Sequence, residues 1–134
     1  MNQVLTGKRV LFVEDEMILA MDVERQLFDA GCDVVGPYGS VGRAMTAARS
    51  GGFDMALLDI DLQGSETYPV ADVLAAHGIP FAFLSGANQQ ALPIRFTGTG
   101  LLKKPFRQPE LLATLLGMCT AMAERSLGPE AAAA

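Results

Sequence analysis

The 134-residue sequence has one histidine, two cysteines and no run of basic residues. Cys32 and Cys119 form no CxxC pair, and no Cys–His cluster has the spacing of a zinc site. Both cysteines are expected as small apolar residues in or near the core, the habit of a free thiol. His77 stands just before Gly78 at the end of a helical pattern, where a cation suits the dipole, and is read as structural. A net charge of −5 without a basic stripe argues against nucleic acid as a partner. No apolar stretch approaches the roughly 18 residues of a membrane span. The opening MNQVLTGKRV has no signal-peptide pattern. A cytoplasmic protein with no membrane partner is expected. There is no GxxxxGK loop for a nucleotide, and TGTG (97–100) is too short to replace one and reads as a turn. No internal repeat is present.

What is present suits a single domain. Half the residues are hydrophobic, enough for a core without staples. Apolar runs alternate with helical patterns. RVLFV (9–13) reads as a strand, followed by acids and a helix on which Leu19, Val23 and Leu27 recur, stopped at Gly31. DVVGPYG reads as a second strand. A helix follows, with Ser40 as N-cap and Gly51–Gly52 as terminator. DMALLDID is a third strand, YPVADVLAAHG a third helix and IPFAFLSG a fourth strand. In ANQQALPIRFTGTG, Pro93 limits the expectation to one short helix ahead of it and irregular chain after it. LLKK is a fifth strand. From Gln108 a long helix carries Leu111, Leu112, Leu115, Leu116, Cys119 and Met122 on one stripe. Residues 1–126 are assigned to the domain and 127–134 to a frayed tail. Alternating strands and helices with near-continuous apolar strands indicate a doubly wound α/β fold with a parallel sheet covered on both faces.

In such sheets ligands lie at the carboxyl ends of the strands. The first strand ends in Glu14, Asp15 and Glu16, the third in Asp59 and Asp61, the fourth in Ser85–Gly86 and the fifth in Lys103–Lys104. Several carboxylates at one edge repel one another unless a cation joins them, and oxygen donors of this kind suit Mg²⁺. A lysine and a hydroxyl opposite the acids add partners for a phosphoryl group, and a carboxylate can itself accept one as an aspartyl phosphate. Glu16 reads as a first-turn helix acid. Lys103 reads as a solvated neighbour of Lys104, because strand alternation sends adjacent side chains to opposite faces.

Four stretches in order, VLFVEDE, ALLDIDLQG, PFAFLSG and LLKKPF, resemble the receiver domains of bacterial response regulators over residues 8–122. The resemblance implies a five-stranded, flavodoxin-like sheet in the order 2-1-3-4-5 with helices on both faces. It implies a two-component phosphorelay role for Asp59 as phosphoacceptor. Glu14 and Asp15 would hold Mg²⁺ together with Asp59 and the backbone carbonyl of Asp61. Ser85 and Lys104 would contact phosphoryl oxygens, Gly86 would leave them room, and the Lys104–Pro105 bond is expected to be cis. The family often carries an aromatic switch three residues before the lysine; here that residue is Leu101. PFAFLSG and KKPF, with the short irregular segment between them, are similar to the atypical FATGUY receivers, although Leu84, Ser85, Ala87 and Asn88 differ from the namesake residues. That likeness implies a stand-alone, single-domain regulator. It would be served by a histidine kinase of the HWE or a related group, or by a phosphotransfer protein, and would act by protein contact or as a phosphate sink. Catalysis would extend only to its own phosphorylation and dephosphorylation. Two alternatives stay open: a pseudo-receiver that binds partners without phosphotransfer, and a small phosphatase using the DxD of Asp59–Asp61.

Overall fold

Adjacent residues of each central strand belong to opposite faces of the sheet, and that alternation builds the fold. In β1 (Arg9–Val13), Val10 and Phe12 join one buried cluster while Leu11 and Val13 join another. In β3 (Met55–Asp59), Met55 and Leu57 separate from Ala56 and Leu58 in the same way. The structure is a computed structural model that describes residues 3–86 and 91–133, with side chains as far as Ala123. The first cluster is closed by α1 (Met17–Ala30) and α4 (Gln108–Ala133), through Val23, Leu27, Leu111 and Leu115. The second is closed by α2 (Val41–Ser50) and α3 (Tyr68–Ala76), through Ala44, Ala48, Val70 and Leu74. Each fully buried leucine in these layers contributes roughly 1.5–3 kcal/mol of burial free energy.

With β2 (Asp33–Tyr38), β6 (Phe81–Ser85) and β7 (Gly100–Lys103), the sheet is parallel throughout, in the order β2-β1-β3-β6-β7. This is the flavodoxin-like order expected for five main strands. The helix ends follow local chemistry. Gly31 stops α1 in the left-handed conformation at φ +95°, donating its N–H to the Leu27 and Phe28 carbonyls. Ser40 Oγ accepts the Arg43 N–H at 3.3 Å and starts α2.

Three expectations change. The third strand ends at Asp59, not Asp61, and the chain enters a separate hairpin of β4 (Asp61–Leu62) and β5 (Ser65–Glu66). Its two-residue turn, Gln63–Gly64, has φ +52° and +90°, the left-handed pair that a tight hairpin requires. The short helix expected ahead of Pro93 is not seen at 91–92, and residues 87–90 lie outside the described residues. A 3₁₀ turn, Ile94–Phe96, follows Pro93 instead. Proline disfavours helix in the residue before it, while its own carbonyl is free to accept the Phe96 N–H at 2.9 Å. Finally, α4 extends to Ala133, so its range takes in 127–133, the stretch assigned to a frayed tail, Gly128 and Pro129 included.

Candidate functional site

From the adjacent strands β1 and β3 the chain winds outward in opposite directions, to β2 on one side and to β6 and β7 on the other. A crevice at their carboxyl ends is the geometric result. Register then fixes which side chains meet there. Val13 pairs with Leu58, which brings Glu14 level with Asp59. Asp59 pairs with Leu84, Ser85 pairs with Lys103, and the Lys104 N–H donates to the Ser85 carbonyl at 2.9 Å. The Lys104–Pro105 peptide is cis, as the resemblance implied.

Carboxylate oxygens of Glu14, Asp15 and Asp59 lie within 4.8 Å of one another. The Lys104 ammonium sits between two of these groups, 2.9 Å from Glu14 Oε1 and 3.1 Å from Asp59 Oδ2. Glu14 Oε2 accepts the N–H groups of Asp15 and Glu16 at 3.1 and 3.2 Å. Its other oxygen, Oε1, is buried without a well-directed hydrogen bond and depends on the lysine charge. Burial raises the pKa of Glu14, an effect that the neighbouring Asp59 carboxylate reinforces and Lys104 opposes. Burial also raises Asp15. For Lys104 burial works against the charge, but the Glu14 and Asp59 carboxylates against it outweigh that and the pKa rises.

The remaining expected residues fall around this centre. Ser85 is buried at the end of β6. Gly86 has open space beside it, since an added Cβ would meet nothing within 4 Å. The Asp61 side chain is exposed and stands outside the carboxylate cluster, while its N–H approaches Asp59 Oδ1 at 3.4 Å. Lys103 and Glu16 are exposed. Leu101 is exposed on the edge strand β7. His77 closes α3, donating its N–H to the Val73 and Leu74 carbonyls. Cys32 is buried, its thiol pushed up to about 11 by burial, and Cys119 is partly buried against the same cluster.

Two residues near the centre have no role assigned from the sequence. Gln63, at the hairpin tip, lines an open cleft of about 520 Å³ with Glu14, Asp15, Met17, Met21 and Pro37. Thr67 is fully buried and donates its hydroxyl to the Asp59 carbonyl at 2.6 Å. The one signal for Thr67 was its position ahead of Tyr68–Pro69 at a helix start. That position suggests a cap and gives no hint of a bond back to β3.

Three carboxylates and one lysine at the switch point of a 2-1-3-4-5 sheet define a receiver domain, and the chain belongs to the response regulator receiver family. It is 35% identical to SdrG of Sphingomonas melonis Fr1, whose solution structure it matches with a TM-score of 0.77 over 87% of this chain and 98% of that one. A second SdrG structure, of the BeF3-activated conformation, matches at 0.72 over 85% of this chain and 98% of that one. A response regulator receiver protein from Sinorhizobium medicae WSM419 is 26% identical, with a TM-score of 0.72 over 86% of this chain and 96% of that one. The transcriptional regulatory protein PdtaR of Mycobacterium tuberculosis is 28% identical over 112 residues, which are 81% of this chain and 55% of PdtaR. The chain therefore spans about half the length of the curated relatives it matches. No protein-family model matches it. No helix among the described residues is long and apolar enough to cross a membrane.

Proposed function

We propose that this chain accepts a phosphoryl group on Asp59 from a histidine kinase or a phosphotransfer protein and signals through the change that follows. The observation that supports this best is the meeting of Glu14, Asp15 and Asp59 around the single ammonium of Lys104. Three acids against one base leave an excess of negative charge on oxygen donors. This excess fits a divalent cation with oxygen ligands, for which Mg²⁺ is the natural choice; Glu14, Asp15 and Asp59 would hold it, with the Asp61 carbonyl alongside. When bound, such an ion neutralises charge on phosphoryl oxygens.

In the forward step a carboxylate oxygen of Asp59 attacks phosphorus. The P–N bond of a phosphohistidine breaks, and the imidazole leaves with its electron pair. Lys104 exchanges its contact with Asp59 for a new phosphoryl oxygen, and the Ser85 hydroxyl donates to another. In the reverse step water attacks phosphorus, releasing inorganic phosphate and restoring the carboxylate. On this reading the protein turns over its own phosphate and no other substrate.

A docking surface for the donor is supported by α1. Met17, Ile18, Met21 and Phe28 are 76%, 82%, 64% and 72% exposed on that one helix. Met17 and Met21 also line the cleft beside Glu14 and Asp15. An exposed apolar stripe of this kind fits a helical protein surface. The likeness to the BeF3-activated form of SdrG supports a phosphoryl-driven switch in this chain as well.

The decisive experiment measures phosphate uptake by Phos-tag gel and intact mass, with a small phosphodonor and Mg²⁺. One phosphoryl group per wild-type chain and none on Asp59→Asn is the expected result. Uptake by Asp59→Asn at the wild-type level would sink the assignment. Many turnovers of a phosphate ester per protein would instead favour a phosphatase.

A further inference from the structure

Thr67 precedes α3 and would be expected to turn its hydroxyl toward the free N–H groups of the first turn. It makes no such bond. Its hydroxyl donates instead to the Asp59 carbonyl at 2.6 Å, with the Ile60 carbonyl 3.3 Å away. Its backbone N–H donates to the Ile60 carbonyl at 2.8 Å. One fully buried residue thus holds two successive peptide planes after the phosphoacceptor. The first plane is fixed at its other end, where the Ile60 N–H donates to the Leu84 carbonyl at 3.1 Å. The second carries the Asp61 N–H that reaches back toward Asp59 Oδ1. Because peptide planes turn as rigid units, Thr67 governs the direction from which this N–H meets the carboxylate.

The next residue faces away from the site. The ring of Tyr68 packs edge-on against Phe83 at 5.7 Å and lies 5.6 Å from Phe96. Phe96 also meets Phe81 and Phe83 edge-on, at 5.9 and 5.3 Å. It belongs to the 3₁₀ turn Ile94–Phe96, which Arg95 ties to α3 by donating to both oxygens of Asp72 at 2.9 and 3.2 Å. The same guanidinium lies 4.7 Å from the centre of the Phe96 ring. A continuous set of contacts therefore runs from Asp59 through Thr67 and Tyr68 to the segment following Ser85. Leu101, at the place of the family's aromatic switch, has no ring to offer and points outward.

We propose that Thr67 is a positioning residue for Asp59 and that, through Tyr68, it ties the state of Asp59 to the 3₁₀ turn at 94–96. This rests on the phosphoacceptor reading above. Charge added at Asp59 draws on the Asp61 N–H, the attached plane rotates, and Thr67 follows through its two donors. A close-packed aromatic cluster answers such a shift by repacking rather than by yielding gradually.

Tyr38 and Tyr68 are the two tyrosines of the chain, so 3-fluorotyrosine labelling gives two fluorine resonances, which Tyr38→Phe assigns. The probe is beryllofluoride with Mg²⁺, whose bound form reports its own fluorine signal. In wild type the bound signal is expected and the Tyr68 resonance moves. In Thr67→Val the bound signal persists while Tyr68 stays in place, and Thr67→Ser restores the movement. Phosphorylation of Thr67→Val by phosphoramidate is expected to slow by about tenfold at an unchanged half-saturating Mg²⁺ concentration, the signature of misplacement rather than lost binding. Thr67→Ala replaces Thr67→Val if the latter fails to fold. A Tyr68 resonance that stays still in beryllofluoride-bound wild type, or moves equally without the hydroxyl, would overturn the proposal alone. If wild type shows no bound beryllofluoride signal, the phosphoacceptor reading falls and takes the relay with it.

Discussion

Charge at the strand ends sets the behaviour of single residues. Glu14 and Asp15 have raised pKa values, chiefly through burial. A carboxyl raised in the folded state favours the fold when protonated, and this contribution is lost as pH rises through its folded value. Near neutral pH the two acids therefore work against the fold until a cation joins them. Mg²⁺ is expected to raise the melting temperature at about pH 7.5, worth roughly 2.7 kcal/mol at a hundredfold excess over its Kd. The gain should shrink as the solution is acidified and protons come to occupy the same oxygens. Differential scanning fluorimetry with and without the ion checks this, and a gain independent of pH would place the ion away from Glu14 and Asp15. At this scale Asp59, Lys104 and the acid pair were legible because each closes an apolar strand. Thr67 was not, because its role is a bond to a carbonyl eight residues back, and a side-chain-to-backbone contact leaves no mark on residue type.

Elements were legible where periodicity and punctuation agreed. RVLFV became β1 at its expected bounds, and Ser40 capped α2 as its position implied. The β4–β5 hairpin was missed because two-residue strands carry no period, and no glycine or proline separates Asp59 from Asp61 to mark the strand end. The pairing of β1 with β2 also hides an irregularity: its register shifts between Leu11 and Val13, opposite Gly36–Pro37. Gly36 has φ +115°, and a Cβ there would stand 2.6 Å from the Phe12 carbonyl oxygen. Both faults fall on backbone, so nothing flexible can relieve them. Gly36→Ala is expected to cost at least about 2 kcal/mol in urea unfolding. The same change at Gly42, where an added Cβ meets nothing within 4 Å, should be neutral or mildly stabilising. Equal losses at the two positions would show that the close approach to β1 is not the cause.

For the molecule as a whole, the chemistry occupies one edge of the sheet and the exposed apolar stripe of α1 begins beside it. The two are separable by experiment. Met21→Glu, or Ile18→Glu, is expected to slow phosphorylation by a histidine kinase about tenfold or more, by placing a charge on a desolvated contact. Phosphorylation by phosphoramidate should keep its wild-type rate, since that donor needs no docking face. Equal slowing with both donors would place α1 in the chemistry and not in recognition.

The lone ammonium of Lys104 has a further consequence. It pairs with two of the three clustered carboxylates, so that cluster and its lysine carry two more negative charges than positive ones before anything binds. An acyl phosphate on Asp59 exchanges one negative charge for two and widens that imbalance. Bulk salt does little to relieve it, because Glu14 and Asp59 are buried and such charges are screened far less than exposed ones. The offset has to come from a cation held inside the crevice, so the lifetime of an acyl phosphate there is expected to follow the occupancy of that cation and not the ionic strength.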